Sequence, residues 1–100
     1  MPFEVRHSTR ASRDLIRILD DLGGRDPDWA VAVHEAISDK LESLAQNPFL
    51  SSIVRQISSG EVREVLAGSY RIFFIVNEPD QVVRVMAIRH VRQQDPEFPE

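Results

Sequence analysis

The chain has 100 residues, of which 42% are hydrophobic and 28% charged, so it has the size and composition of one ordinary globular domain, residues 1–100. It contains no cysteine, which excludes disulfide bonds and thiolate metal ligands. The formal net charge of -4 argues against a general nucleic-acid binder, because such proteins usually carry a basic excess.

The first predicted element is a strand over residues 3–7, where apolar and polar side chains alternate as they do in a half-buried strand. This stretch lacks the apolar region of a signal peptide. We therefore expect a cytoplasmic protein that does not contact a membrane.

A helix is predicted next, with Ser8 or Thr9 as its N-cap and residues 23–24, two glycines, as its end. Arg10 and Asp14 stand at helical salt-bridge spacing on its polar side. Five apolar residues at spacings of three and four form a single stripe along it. They are Ala11, Leu15, Ile18, Leu19 and Leu22.

A second helix is predicted to start with Asp26 as N-cap and Pro27 in its first turn, and to stop near Gln46 because Pro48 disfavours helix before it. The short link predicts that the two helices form an antiparallel hairpin, with Trp29 packed between them. The apolar stripe of the second helix consists of Ala30, Val33, Ile37, Leu41 and Leu44.

Residues 48–60 show no sustained period and contain four serines, which predicts a loop. Ile53, Val54 and Ile57 are expected to anchor this loop to the core.

Three strands follow, over residues 61–66, 70–76 and 82–90. Gly68 and Ser69 suit a two-residue type II′ turn, and residues 77–81 suit a longer hairpin loop. The order strand, two helices, three-stranded antiparallel meander predicts an α+β fold, with the helical hairpin packed on one face of the sheet and the other face open.

Cationic side chains are concentrated on the predicted strands. Residues 51–94 contain six arginines and four acidic residues, a net charge of +2, and eleven of the twelve basic residues in the chain are arginine. Arginine forms bidentate contacts with phosphate or carboxylate. Side chains carried on consecutive strands converge more reliably than side chains in loops, so we expect a cationic patch.

The same strands resemble the RelE/ParE superfamily of toxins from type II toxin-antitoxin systems, often named plasmid stabilisation proteins. The similarity lies in VREVL at residues 62–66, GSYRIFFIV at residues 68–76 and VRVMAIRHVR at residues 83–92. It extends back to ASRDL at residues 11–15 and LAQNP at residues 44–48, and thus covers nearly the whole chain.

The resemblance implies a RelE/ParE-like fold and a toxin neutralised by a cognate antitoxin. RelE-like members cut mRNA, mostly on the ribosome, whereas ParE-like members inhibit DNA gyrase and are not enzymes. The start of the first helix and the Arg-His end of the last strand favour a ParE-like toxin, with a metal-independent RelE-like endoribonuclease as the alternative. A homo-oligomer or a toxin-antitoxin hetero-oligomer is compatible with either.

RNA cleavage by 2′-hydroxyl attack needs a base, an acid and a cation to stabilise the phosphorane. Arg71, which matches the arginine of the family's Tyr-Arg pattern, would be the cation, and His90 would be an acid or base near neutral pH. Both roles apply only to a nuclease. Period two places Arg71 on the strand face opposite to Tyr70, and its alternative role is an ion pair with Glu64.

The candidate residues for phosphate or target binding are Arg63, Arg71, Arg89 and Arg92. Arg63 could lie beside Arg71 across the hairpin, or it could be a solvated charge that protects a sheet edge. Arg89 should face away from His90. Three scattered histidines and no cysteine offer no metal site, and no cofactor is expected.

Several departures weaken the nuclease interpretation. Phe98 stands where RelE-like enzymes commonly have a tyrosine or another proton-transfer group. Residues 95–100 form an acidic, proline-broken tail that we expect to be flexible, and that would repel RNA if folded over the site. The acidic composition also leaves a third hypothesis, a non-toxic module that binds the antitoxin.

Overall fold

The computed structural model describes residues 2–98. Its five strands form one sheet in the order β1-β5-β4-β3-β2, in which β1 runs parallel to β5 and the other pairs are antiparallel. Both helices pack on one face of this sheet, so the predicted α+β fold class is confirmed. The elements are β1 (Glu4–His7), α1 (Thr9–Gly23), α2 (Pro27–Gln46), β2 (Ser52–Ile57), β3 (Gly60–Ala67), β4 (Tyr70–Asn77) and β5 (Val82–His90).

Helix α1 begins and ends where its capping residues predict. The side chain of Ser8 accepts a hydrogen bond from the backbone N–H of Ala11 at 3.0 Å, and Gly24 is the C-cap. The predicted apolar stripe faces the sheet, with Ala11 fully buried and the other four residues packed around the same cluster. The spacing of the apolar residues therefore identified the buried side of the helix correctly.

Helix α2 is also confirmed at both ends. Asp26 accepts a hydrogen bond from the backbone N–H of Trp29 at 3.1 Å, and the helix ends at Gln46. Val33, Ile37 and Leu44 are its buried residues. Trp29 does not pack between the helices as predicted, because it is 53% exposed in the first turn.

The predicted loop over residues 48–60 is wrong in its middle, because β2 lies there and pairs with β3 at the edge of the sheet. The strand carries exposed side chains at five of its six positions and a register shift around Val54, so it shows no alternation of apolar and polar residues. Ile57 is buried as expected, but Ile53 and Val54 are 51% and 45% exposed.

The face of the sheet away from the helices, here called the outer face, is not open as predicted. It carries a second apolar cluster to which the C-terminal segment contributes Phe98. Strand alternation directs the consecutive residues Phe73 and Phe74 to opposite sides, Phe73 into the outer cluster and Phe74 toward α2, and the register shift beside them leaves Met86 of β5 without a partner in the pairing. The buried members of the outer cluster are Ile57, Val62, Phe73, Ala87 and Phe98.

The edge of β5 extends beyond β1 and is covered by α1. The hydroxyl of Ser8 donates to the carbonyl of Met86 at 3.1 Å, and the carboxylate of Asp14 accepts from the backbone N–H of Ile88 at 3.0 Å. The same Asp14 oxygen lies 2.9 Å from the guanidinium of Arg89. Asp14 thus joins α1 to the last strand and is not only a solvated residue of the helix surface.

Neither helix in the described part of the chain is long and apolar enough to cross a membrane.

Replacing Asp14 with alanine should lower the free energy of unfolding by about 1–3 kcal/mol, because it leaves a partly buried backbone N–H without its acceptor and removes the carboxylate that pairs with Arg89. Urea denaturation would measure the loss. The matched control is Asp20→Ala, which removes an exposed carboxylate from the same helix and should change stability by less than about 0.5 kcal/mol. Equal effects of the two substitutions would contradict the role given to Asp14.

Two glycine substitutions should have opposite signs. Gly68 has a φ of +60° in the turn between β3 and β4, so Gly68→Ala should destabilise by about 1 kcal/mol although no atom lies within 4 Å of the added methyl group. Gly23 ends α1 in equally open surroundings and does not have a positive φ. Gly23→Ala should therefore raise the free energy of unfolding by about 0.4–1 kcal/mol. Thermal denaturation of both variants tests the pair, and a stabilising Gly68→Ala would show that the turn relaxes.

Candidate functional site

Arg71 lies near the start of β4, on the outer face of the sheet. It stands opposite Leu66 on β3 and opposite Arg89 on β5, so two of the predicted cationic residues are direct cross-strand neighbours. Arg71 and Arg89 therefore lie side by side, but each guanidinium is paired with carboxylates of the chain, so the two arginines do not form the exposed cationic patch that the sequence predicted.

The guanidinium of Arg71 is held by the C-terminal segment of the same chain. One terminal nitrogen lies 2.5 Å from a carboxylate oxygen of Asp95, and the other donates to the carbonyl of Gln93 at 2.7 Å. Glu64, its predicted alternative partner, lies farther away at 3.7 Å, and the guanidinium is 5.1 Å from the ring centre of Phe73. The arginine side chain is only 14% exposed.

One donor of Arg71 is left over. Its Nε is buried and has no hydrogen-bond partner within residues 2–98. A buried donor without a partner costs free energy, of the order of 1–3 kcal/mol. Contacts within the chain thus satisfy the two terminal nitrogens of the guanidinium but not Nε.

The C-terminal segment runs back over the outer face after β5 ends. The turn is fixed by backbone bonds from Val91 to Ser69 at 2.8 Å and from Gln93 to His90 at 2.9 Å. The side chain of Gln93 also accepts from the backbone N–H of His90 at 2.7 Å. These bonds direct the following residues across β4 rather than away from the sheet.

The far end of the segment is held by Phe98 and Arg10. Phe98 is 8% exposed and its ring centre lies 5.7 Å from that of Phe73. Arg10, at the start of α1, donates to the carbonyl of Glu97 and lies 6.0 Å from the Phe98 ring centre. No local pattern in the sequence marks Arg10, Gln93 or Asp95 as a site residue, because their contacts depend on the path of the C-terminal segment.

The energies of these contacts are modest. Burying one phenylalanine contributes about 1.5–3 kcal/mol. The side chain of Asp95 is 73% exposed, so its pair with Arg71 is screened by solvent and contributes about 0–1 kcal/mol. Ordering each backbone residue costs about 1–2 kcal/mol, so the segment is held weakly in total. The predicted flexibility of residues 95–100 stays a prediction, and residues 99–100 lie outside the described part of the chain.

His90 does not join Arg71. It stands opposite Tyr70 at the end of the β4–β5 pair, with the two rings perpendicular and their centres 5.3 Å apart. Because strand side chains alternate, His90 and Tyr70 lie on the helix side of the sheet while Arg71 lies on the outer face. Arg89 points away from His90, as expected, and binds Asp14.

The two remaining candidates lie apart from this patch. Arg63 shares the helix side of β3 with Val65, so it does not sit beside Arg71. Its guanidinium lies 5.1 Å from the ring centre of Phe49 and 3.3 Å from the carbonyl of Ser51, with a side chain that is 12% exposed. A packed arginine of this kind is neither the solvated edge charge nor the second cation that the sequence suggested.

Arg92 is exposed in the turn after β5. Its backbone N–H donates to Nδ1 of His90 at 3.1 Å, which fixes the turn and not the guanidinium. Of the four predicted binding arginines, only Arg92 lies outside the sheet, in the turn after β5.

Tyr70 is the only tyrosine of the chain and is buried on the helix side of the sheet. Burial raises the pKa of its phenol above the usual value, while Arg25 opposes this shift and Asp21 reinforces it. The hydroxyl is therefore protonated at neutral pH. On the helix side of the sheet it is also separated from Arg71 by the strand itself.

Residues 2–98 contain no group of three or more histidine, cysteine, aspartate or glutamate side chains placed to hold a metal ion. The acid or base groups next to Arg71 are the carboxylates of Glu64 and Asp95, each paired with its guanidinium. The Arg71 guanidinium is thus already paired with two carboxylates, and it lies beside the outer apolar cluster.

Three solved structures share this fold. The toxin-antitoxin complex RelBE2 from Mycobacterium tuberculosis aligns with a TM-score of 0.65 and 21% identity, covering 90% of this chain and 99% of that one. A chromosomal ParDE system from P. aeruginosa aligns with a TM-score of 0.71 and 16% identity, covering 88% and 95%. At such identities the likeness concerns the fold alone.

The archaeal RelE-RelB complex from Pyrococcus horikoshii OT3 aligns with a TM-score of 0.64 and 14% identity, covering 94% of this chain and 100% of that one. No curated protein matches the chain. A family model does match, and it spans residues 5–95 and therefore every strand and helix except one residue at the start of β1. The chain belongs to the family described as the ParE toxin of the type II toxin-antitoxin system parDE.

Proposed function

We propose that this ParE-family toxin stops growth by binding DNA gyrase and that a cognate antitoxin neutralises it in the cytoplasm. Membership in the toxin family is established by the family match. What we propose beyond family membership is the gyrase target, the cognate antitoxin and the cytoplasmic location.

An antitoxin partner is supported by the similar structures and by the surface. All three solved structures are described as toxin-antitoxin systems or complexes. Exposed apolar side chains in this chain include Leu50, Ile53 and Val54 around the edge strand β2, at 76%, 51% and 45% exposure. Apolar side chains beside an unpaired strand edge favour partner binding.

The observation that favours binding over cleavage is the separation of Arg71 from His90. Cleavage by 2′-hydroxyl attack needs a cation and proton-transfer groups around one phosphate. Here His90 and Tyr70 lie on the helix side, and Arg71 on the outer face is paired with Asp95 and Glu64. The side chain of Phe98, which cannot transfer a proton, occupies the outer face beside Phe73.

A RelE-like endoribonuclease is the second candidate, because Arg71 and Arg89 are cross-strand neighbours and two arginines can stabilise a phosphorane. A non-toxic antitoxin-binding module is the third, because both acidic groups near Arg71 oppose an anionic target. The two experiments below separate the three candidates.

The purified protein should inhibit DNA supercoiling by gyrase in vitro. Because inhibition would depend on a broad contact surface, the single substitutions Arg71→Ala and His90→Ala should each weaken it by less than about 30-fold, the effect of about 2 kcal/mol at one interface residue. Agarose-gel assays on relaxed plasmid would measure it. Failure to inhibit at concentrations that stop growth would remove gyrase as the target.

Induction of the protein without an antitoxin should stop growth without creating new RNA 5′ ends inside translated codons. Mapping of RNA ends minutes after induction would test this, with Arg71→Ala as the active-site control and Arg84→Ala as a matched exposed arginine on β5. New ends in the wild type and in Arg84→Ala, but not in Arg71→Ala, would identify a ribonuclease. Unimpaired growth with folded protein would leave the non-toxic module.

A further inference from the structure

The C-terminal segment lies on the outer face as a bound peptide would. It presents a carboxylate, Asp95, to Arg71, and three residues later it inserts an aromatic side chain, Phe98, into the outer apolar cluster. Between them, Pro96 is buried and the carbonyl of Glu97 accepts from Arg10. Polar and apolar contacts thus alternate along residues 93–98.

The surface beneath the segment has features of a binding site in its own right. Three arginines from separate elements border it, namely Arg10 at the start of α1, Arg71 on β4 and Arg89 on β5. The buried Nε of Arg71 has no partner in the described part of the chain. A carboxylate approaching that edge of the guanidinium could bind two of its nitrogens, which Asp95 does not do.

The segment fills this surface incompletely. A cleft of about 440 Å³ remains between it and the sheet edge, lined by Arg10, Arg89 and residues 93–97. Asp95, which makes the ion pair to Arg71, is itself 73% exposed. Residues 94–98 belong to no helix or strand, so they can leave without breaking backbone pairing in the sheet.

We propose that the outer face is a docking site for a short peptide of a partner protein that carries a carboxylate followed three residues later by an aromatic side chain, and that residues 94–98 are its resident, displaceable occupant. The partner's carboxylate pairs with Arg71 and its aromatic side chain replaces Phe98 against Phe73. Partner binding is therefore weakened by the fraction of time that the segment is docked. The inference does not rest on gyrase as the target, because it concerns the purified chain and a peptide.

The test uses a fluorescein-labelled peptide with the sequence of residues 91–100 and fluorescence anisotropy. It is titrated with the full chain and with the full-length double variant Asp95→Asn, Phe98→Ala, whose own segment binds poorly. The double variant should bind the peptide at least about 10-fold more tightly than the wild type, as expected if the segment is docked about nine-tenths of the time. Equal affinities, or no binding by the folded variant, would overturn the proposal.

Three controls tie the signal to the site. Adding Arg71→Ala to the double variant should remove at least about 10-fold of the affinity, whereas Arg84→Ala, an exposed β5 arginine outside the segment contacts, should not. A peptide with both key residues replaced should bind no variant. Loss of the Arg71 dependence would overturn the proposal as well.

The single variant Asp95→Asn covers the case in which Phe98→Ala does not fold. Asp95 is largely exposed, so its replacement should preserve the circular dichroism spectrum and the melting temperature. It should still bind the peptide about 3-fold more tightly than the wild type, because loss of the ion pair to Arg71 raises the fraction of time for which the segment is undocked. Wild-type affinity in this folded variant would count against a displaceable segment.

Discussion

The structure depends on strand β4, which is apolar on both sides. Phe73 and Phe74 are consecutive and each is at most 1% exposed, because successive side chains of a strand point to opposite faces and both faces of β4 are covered. A strand of this kind needs cover on both faces. The helical hairpin covers one face, and on the other the chain uses its own C-terminal residues.

This constraint explains the environment of Arg71. Cover for Phe73 has to pass over the start of β4, so the segment that brings Phe98 also brings Asp95 and the Gln93 carbonyl to the guanidinium. The arginine that most resembles a family site residue is thus buried by the same packing that completes the sheet. Its charge is therefore balanced within the chain, by the carboxylates of Asp95 and Glu64.

Local signals in the sequence predicted most of the fold. Helix α2 starts at its predicted cap, Asp26, and α1 starts at Ser8, one of the two candidate caps. Gly68 turns the β3–β4 hairpin with a positive φ, and each of these effects acts over only a few residues. Strand β2 was missed because an edge strand with a bulge and exposed side chains has no period to detect. Trp29 was misplaced because only tertiary packing decides whether a first-turn side chain is covered.

The site was harder to predict for the same reason. The alternation of side chains along a strand correctly predicted that Arg71 and Tyr70 lie on different faces of β4. It likewise predicted that Arg89 and His90 lie on different faces of β5. Arg10 and Asp14 are four residues apart on α1, a spacing that favours an ion pair between them. Alternation could not reveal that Arg10 contacts Glu97 and that Asp14 contacts Arg89. Such contacts join residues more than 70 positions apart, and nothing in the local pattern encodes them.

The parallel pairing of β1 with β5 makes the first and last strands neighbours. Glu4 pairs with Val82, and Ser8 donates to Met86 across 78 positions of sequence. During synthesis, β1 therefore has no partner until almost the entire chain has been made, and closing so large a loop slows folding. A nascent or prematurely terminated chain lacks the completed sheet and the cover of its outer face, so the folded toxin surface arises only after translation of the final strand.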